Sequence, residues 1–543
     1  MKTKTKTKMA GQAQSLPENV KGPTQEERSE SGDHSSSYPR QQHPPAPAAQ
    51  DWMPAWFGGP HVVVGPRIGR VLGSAFEGGS DTEESSSAAV ILDKQIALED
   101  GHAIQYRTCS WQKTAALLFS EYICLAIMSF PWSYSVLGLV PGLILTFVVA
   151  IIVLYTSLVL WEFCLRHPEV RDVCDIGQML FWNKKWAWYA TAVMFLLNNT
   201  FIQALHVLVG AKYLNTMTDA DDNVACRTVS FSIVVTLICW VCSLPRTFSM
   251  LSKIGTASAI FTFISVLLAT VFAGVQTHPA GYDLLAIGDP VVTALPVAGT
   301  TFVAAMNAFL NISYTFIGQI TLPSFIAEMK DPRDFPKALW ACTAAEMAVF
   351  SVVGAVVYAY TGNQYVTAPA FGSLADGVHK KVAFSFMVPT LVFVGVLYAS
   401  VSARFVFFRL FRNAPHHKNE HTLVGWAAWA AILLATWILA FIIAEVIPFF
   451  SSLLSLMSSL FDSFFGFIFW GVAYFRMRTA DGRMAFVKDR SVSGYLLGVV
   501  NVLIILTGVF FLTAGSYASV EGIIDEFRAG TVGSTFTCKT NGL

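Results

Sequence analysis

The sequence predicts an all-α integral membrane protein of about eleven transmembrane helices, the first and sixth of them discontinuous. Three observations carry this. The 543-residue chain is 54% hydrophobic and only 13% charged, with mean hydropathy +0.52, whereas a soluble domain carries about 25% charged residues. From Trp111 onward, apolar blocks of membrane-spanning length recur at nearly regular spacing. Two of these blocks are interrupted near their middles: Ile127-Met128-Ser129-Phe130-Pro131-Trp132-Ser133, and Asn311-Ile312-Ser313-Tyr314-Thr315-Phe316-Ile317-Gly318-Gln319 with Pro323 following. In a bilayer an unpaired backbone group costs several kcal/mol, so an interrupted helix persists only where it lines a buried cavity. Interruptions at matching positions in two halves of a chain point to the binding site of a carrier.

Composition also excludes classes. A formal net charge of zero argues against a nucleic-acid partner held by bulk electrostatics. The nine cysteines form no Cys/His cluster, so neither a metal site nor a dense disulfide framework is expected. No HExxH, GxSxG or Walker-type motif is present, so the chain is not expected to be an enzyme.

Residues 1–105 are rich in Ser, Pro, Gln, Gly and charge, as in Ser35-Ser36-Ser37 and Pro44-Pro45-Ala46-Pro47. Such a stretch buries too little apolar area to offset its ordering entropy and predicts a disordered cytosolic tail. The apolar cluster Trp52 to Val64 stands out; it reads as residual disorder or as a short docking segment. Met1 to Met9 alternates Lys and Thr with no apolar core behind it, so the first span is expected to serve as the insertion signal. Residues 106–520 form the membrane domain, with spans at about 112–136, 141–164, 186–213, 228–245, 251–275, 299–327, 337–361, 382–408, 424–444, 447–475 and 493–518. With the amino terminus in the cytosol, basic residues of the inner loops outnumber those outside by roughly three to one, a positive-inside pattern. An odd number of spans then leaves residues 521–543 as a short non-cytosolic tail. Cys226 and Cys538 would share that side, as a disulfide or as free thiols.

Within the first break, Pro131 removes a backbone donor and clashes with the preceding turn, which loosens Ile127, Met128, Ser129 and Phe130. Freed N–H groups there suit a substrate carboxylate. In the sixth span, Gly318 supplies backbone freedom while Tyr314, Thr315 and Gln319 add polar groups at a costly depth. Freed carbonyls here suit an ammonium, and Tyr314 and Phe316 are placed to gate it. Glu121 lies ten residues before Pro131, about 15 Å along a helix at 1.5 Å per residue. A carboxylate at that depth must be protonated, paired or water-linked, which makes it the candidate for a coupling proton. Asp462, Glu346 and His206 are further intramembrane ionisable groups, each with a plain structural reading as a hydrogen-bonded residue facing the bundle. Asn198, Asn199, Gln203, Asn307, Ser400 and Ser402 are candidate helix-joining polar groups.

Taken together, these residues resemble the amino acid/auxin permease family, specifically its fungal neutral amino acid permeases. The resemblance rests on Tyr106-Arg107-Thr108 with Trp111, on Ser120-Glu121 through Ser129-Phe130-Pro131, on the break at Phe316 to Gly318, and on Glu328-Met329-Lys330 with Phe335-Pro336-Lys337-Ala338-Leu339. It covers about residues 105 to 520 and places the chain in the amino acid–polyamine–organocation superfamily. That implies a LeuT-like arrangement of two inverted five-helix repeats, spans 1–5 and 6–10, with an eleventh helix added. The implied activity is import of neutral amino acids driven by a proton gradient, with sodium as the alternative ion and no bound cofactor. Where the fungal pattern has Ser-Leu-Pro, this chain has Ser129-Phe130-Pro131 followed by Trp132, so bulk beside the pocket bears on substrate size.

Two readings of function stand at this point. One is a secondary active amino acid carrier working by alternating access, in the plasma membrane or else the vacuolar membrane. The other is a transporter-like nutrient receptor signalling through its tail, whose Ser, Thr and Lys residues suit trafficking or ubiquitin machinery.

Overall fold

The computed structural model describes residues 55–59, 62, 64–68 and 109–541, apart from 171, 219–225, 247, 415–416, 418–421, 485, 487, 490, 531–534, 537 and 539–540. Most of the predicted amino-terminal tail therefore lies outside the described residues. Each predicted span corresponds to a helix: Trp111–Leu137 in two pieces, Leu139–Arg166, Lys185–Met217, Arg227–Ser243, Phe248–Val275, then Phe302–Phe316 with Leu322–Glu328. Spans 7 to 11 follow at Pro332–Tyr365, Val378–Leu410, Leu423–Val446, Phe450–Ala480 and Val492–Ala529. The last helix continues to Ala529, so part of the predicted carboxyl tail is helical. No strand is present among the described residues beyond one isolated bridge, Cys109 with Met329.

Span 10 is buried over 89% of its apolar window, while spans 9 and 11 are buried over 28%. Span 10 therefore belongs to the centre and its flanking helices to the lipid-facing rim. Spans 1 and 2 meet without a loop because Gly138, at φ +81°, reverses the chain in the left-handed region. The first N–H groups of span 2, at Leu139 and Val140, are satisfied by the carbonyls of Thr293 and Ala294 at 3.0 and 3.1 Å. Cys239 and Cys242, a C-x-x-C pair within span 4, are both free thiols, the first buried and the second exposed.

Both ends of the bundle are tied. At the end where the chain enters span 1, Arg166 of span 2 makes a two-pronged ion pair with Asp481 after span 10 at 2.8 and 3.0 Å, and also holds Glu162 at 2.6 Å. Trp161 Nε1 donates to the Pro332 carbonyl at 2.8 Å, which joins span 2 to the turn before span 7. Cys109 accepts from the Lys330 N–H at 2.9 Å and donates to the Glu328 carbonyl at 3.1 Å, so the starting end of span 1 is bonded to the finishing end of span 6. At the opposite end, a disulfide joins Cys226 to Cys538, and Asn215 Nδ2 donates to Asn541 Oδ1 at 2.7 Å.

The amino-terminal segment gives a result that composition did not favour. Residues 55–59, 62 and 64–68 lie across the Arg166 end of the bundle as a strap. Phe57 stacks on Trp340 at 5.9 Å, and Trp340 Nε1 donates to the Trp56 carbonyl at 3.1 Å. Trp56 meets Tyr155 edge-on at 5.7 Å. Further along, Arg166 donates to the Pro66 carbonyl at 3.1 Å, Arg67 pairs with Glu169, and the Ile68 N–H donates to His167 Nε2 at 3.2 Å. The apolar cluster is thus a docking segment, because its aromatic rings find partners on spans 2 and 7 that a linear composition cannot display.

Two predictions follow from the strap. Trp340→Ala removes one ring stack and one hydrogen bond, so amide-exchange protection of residues 55–68 should fall about tenfold. His167, capping span 2, is fully buried, and burial together with the Arg67 and Arg166 guanidiniums pushes its pKa down to about 3 from 6.5. Glu169 lies 3.5 Å from its Nδ1, but Arg67 matches that charge. A lowered folded-state value means docking strength is fully present above pH 6.5 and is lost as pH falls toward 3. The mobility of a nitroxide label at position 62 should accordingly rise with acidification across that window; unchanged spectra would remove His167 from strap docking.

Candidate functional site

The breaks in spans 1 and 6 come together around one cavity. Span 1 is α-helical to Tyr122, leaves the helix at Ile123 and Cys124, and runs as a 3-10 turn over Leu125–Ser129 before the helix resumes at Phe130. The two pieces are bent by 44°. Pro131 sits in the first turn of the second piece, where its missing N–H has no intrahelical partner to lose. The break consequently lies one to two turns before the proline, upstream of the position its sequence suggests. In span 6 the helix ends at Phe316, Ile317 is extended, and a turn from Gly318 to Thr321 precedes the restart at Leu322.

Gly318 is required for close approach. A Cβ there would lie 2.3–2.7 Å from the Tyr122 ring, so glycine lets the two breaks touch. Its backbone is not in the left-handed region, which corrects the expectation that conformational freedom is its role. Gly466 of span 10 acts similarly, since a Cβ there would lie 2.9 Å from Ile317.

The cavity between these segments has a volume of about 50 Å³, room for about three or four waters. Span 1 contributes Glu121, Tyr122, Cys124 and Leu125, and span 6 contributes Tyr314, Thr315 and Ile317 through Ile320. Span 3 adds Asn198, Ile202, Leu205 and His206; span 8 adds Val394 and Tyr398; span 10 adds Asp462 and Phe465. The Tyr398 hydroxyl donates to Glu121 Oε1 at 2.6 Å, bridging spans 1 and 8. Gln319 Nε2 donates to Thr156 Oγ1 of span 2 at 3.1 Å. Glu121 Oε2, Gln319 Oε1, His206 Nδ1 and Asp462 Oδ2 are buried with no hydrogen-bond partner. Among the described residues no Lys or Arg lines the cavity. Such a site presents acceptors and bare helix ends to an occupant that brings donors and one carboxylate.

A family model for transmembrane amino acid transporter protein matches residues 107–520. The chain belongs to the transmembrane amino acid transporter family. Among curated proteins it is 30% identical over 448 residues to the N amino acid transport system protein of Neurospora crassa, covering 82% of this chain and 92% of that protein. It is 28% identical over 463 residues to a transmembrane transporter of Gibberella moniliformis, covering 85% and 93%. Among solved structures it is similar to MhsT in complex with L-phenylalanine, at 12% identity and TM-score 0.48, covering 75% of this chain and 99% of that one. It is also similar to Mhp1, a nucleobase-cation-symport-1 family transporter, at 13% identity and TM-score 0.43, covering 80% and 95%.

In this amino acid transporter family member, Glu121, Tyr314, Thr315, Gly318 and Gln319 from the sequence reading all line the cavity. Ile127, Met128, Ser129, Phe130, Pro131 and Phe316 are buried but do not line it. Phe130 and Phe316 instead form an aromatic cluster with Phe350 of span 7, at ring separations of 5.1–6.3 Å, and Ser129 Oγ turns back to the Ala126 carbonyl at 2.7 Å. Tyr122, Cys124 and Tyr398 were not singled out from sequence. A tyrosine in an apolar span is an ordinary interfacial or core residue, so only the Glu121 contact distinguishes Tyr398. Glu346 accepts a 3.1 Å bond from its own helical neighbour Cys342 and lies outside the cavity lining.

Replacing Gly318 with Val should force Tyr122 away at a cost of about 1–3 kcal/mol. Amino acid uptake should drop while surface expression and span insertion persist; unaltered uptake kinetics would show that the two breaks do not need this contact.

Proposed function

We propose that the protein is a secondary active carrier that imports neutral amino acids together with protons, alternating access around the two breaks. The observation that carries this reading is Glu121, a buried carboxylate at the first break, held by Tyr398 of span 8 and facing the cavity shared with the second break. A proton on Glu121 removes a charge that a low-dielectric site holds at high cost. Binding of a zwitterion beside it, and release of the proton on the other side, then links the two fluxes.

The substrate carboxylate is received by the 3-10 turn starting at Leu125, whose first N–H groups have no preceding helical carbonyl to pair with. The ammonium is received by carbonyls at the helix end around Tyr314 to Phe316. Because the cavity is small and the Phe130, Phe316 and Phe350 rings pack together between spans 1, 6 and 7, we read the arrangement as a closed state. Exchange of cargo requires that cluster or the Tyr122 contact to part. The Cys109 bonds to Glu328 and Lys330 make the first half of span 1 and the second half of span 6 candidates to move as one.

The end bearing Arg166 and the strap faces the cytosol in this reading, and the Cys226–Cys538 disulfide faces the oxidising side, as expected for a plasma-membrane carrier. No bound cofactor is needed, since the ion gradient supplies the free energy. In proteoliposomes under an imposed pH gradient, wild-type uptake of a neutral amino acid should rise with external acidity. Glu121→Gln should retain counterflow but lose that dependence. A variant with the wild-type pH profile would assign coupling to another group, and dependence on sodium alone would replace the proton.

A further inference from the structure

We propose that Asp462 is a specificity-determining residue that accepts a hydrogen bond from the side chain of the cargo, so that small amino acids with a hydroxyl or amide side chain are preferred over apolar isosteres. The inference rests on the carrier reading above and names the substrate class for the same cavity.

Asp462 lies in span 10 within Ser458–Ile468, a π-helical stretch inside an otherwise α-helical span. A π-turn inserts an extra residue per turn, which turns side chains toward a new face and is frequent at functional sites. One turn further on, Gly466 lets span 10 press against Ile317 in the break of span 6. Asp462 and Phe465 are both carried to the cavity wall by this approach. Asp462 is 5% exposed, and its Oδ2 has no partner. Ser458, one turn earlier, is the side-chain hydrogen-bond partner of the carboxyl group, and among the described lining residues no Lys or Arg stands beside it.

The two charges common to every amino acid are matched by the backbone at the breaks, and Glu121 is occupied by Tyr398 on one oxygen. Asp462 enters from a third direction, on a helix that supplies neither break, with Asn198 of span 3 also on the wall. Asn198 Nδ2 makes only a 3.5 Å contact, to Asn199, so its amide is also poorly held. A side chain carrying an O–H or N–H completes this wall. An aliphatic side chain of the same shape leaves a desolvated carboxyl oxygen unpaired, and a site built this way rejects the analogue lacking the donor. The small cavity volume restricts the donor to a short side chain.

Threonine and valine differ by this one group. In proteoliposomes holding the full chain, threonine should displace labelled substrate at about ten- to a hundredfold lower concentration than valine. Asp462→Leu should bring that ratio close to one, and Asp462→Asn, which keeps a carbonyl oxygen, should preserve a threonine preference. Equal potency of the two amino acids on the wild type, or an unchanged ratio in Asp462→Leu, would overturn the assignment while leaving the carrier reading intact. Should Asp462→Leu move nothing, thermal stabilisation of the purified wild type decides: threonine must act at lower concentration than valine, and coincident curves overturn the proposal. A wild type that moves no amino acid at all would instead sink the carrier reading on which the proposal stands.

Discussion

Hydrogen bonding of the backbone in a medium without water governs this structure. A helix crossing lipid satisfies its own N–H and C=O groups, and any interruption must find partners in protein or line a cavity. Spans 1 and 6 are interrupted, so both are driven to the centre, where each break faces the other. Spans 3, 8 and 10 then close around them, and span 10 is the most buried of the long helices for this reason.

Close approach at the centre depends on side chains being absent as much as present. Gly318 admits the Tyr122 ring and Gly466 admits Ile317, and these two contacts bring three helices within reach of one small cavity. Aromatic packing of Phe130, Phe316 and Phe350 fills the space beside it. What remains open is lined by polar side chains of which Glu121 Oε2, Gln319 Oε1, His206 Nδ1 and Asp462 Oδ2 have no hydrogen-bond partner. Buried polar groups left unpaired are costly, so the packing of the fold keeps a polar space open at its centre.

The ends of the bundle limit which parts can move. Arg166 with Asp481 and Glu162 clamps spans 2 and 10, and the strap adds contacts to spans 2 and 7 on the same face. The Cys109 bonds join the starting end of span 1 to the finishing end of span 6. At the far end Cys538 is joined by a disulfide to Cys226 at the start of span 4, and Asn541 accepts a hydrogen bond from Asn215 of span 3. Rearrangement around the cavity therefore has to act through elements that are tied in pairs.

Much of this was legible in the linear chain. Eleven apolar blocks, the breaks in the first and sixth, and Glu121 as an intramembrane carboxylate follow from hydropathy, Pro and Gly placement and the cost of burying charge, all of which are local properties. The span 6 residues Tyr314, Thr315, Gly318 and Gln319 line the cavity, and in the sequence they stand out because glycine and polar groups mark the break itself. Ile127 to Pro131 were favoured because proline is visible in sequence, yet its constraint falls on the turns before it, so Tyr122, Cys124 and Leu125 take the cavity wall. Tyr398 as the Glu121 partner, Asp462 facing the same space and the docking of Trp56 and Phe57 depend on residues brought together from distant parts of the chain. Periodicity specifies which face of a helix is apolar, but the rotation and approach that decide what two helices touch are set by packing across the whole bundle.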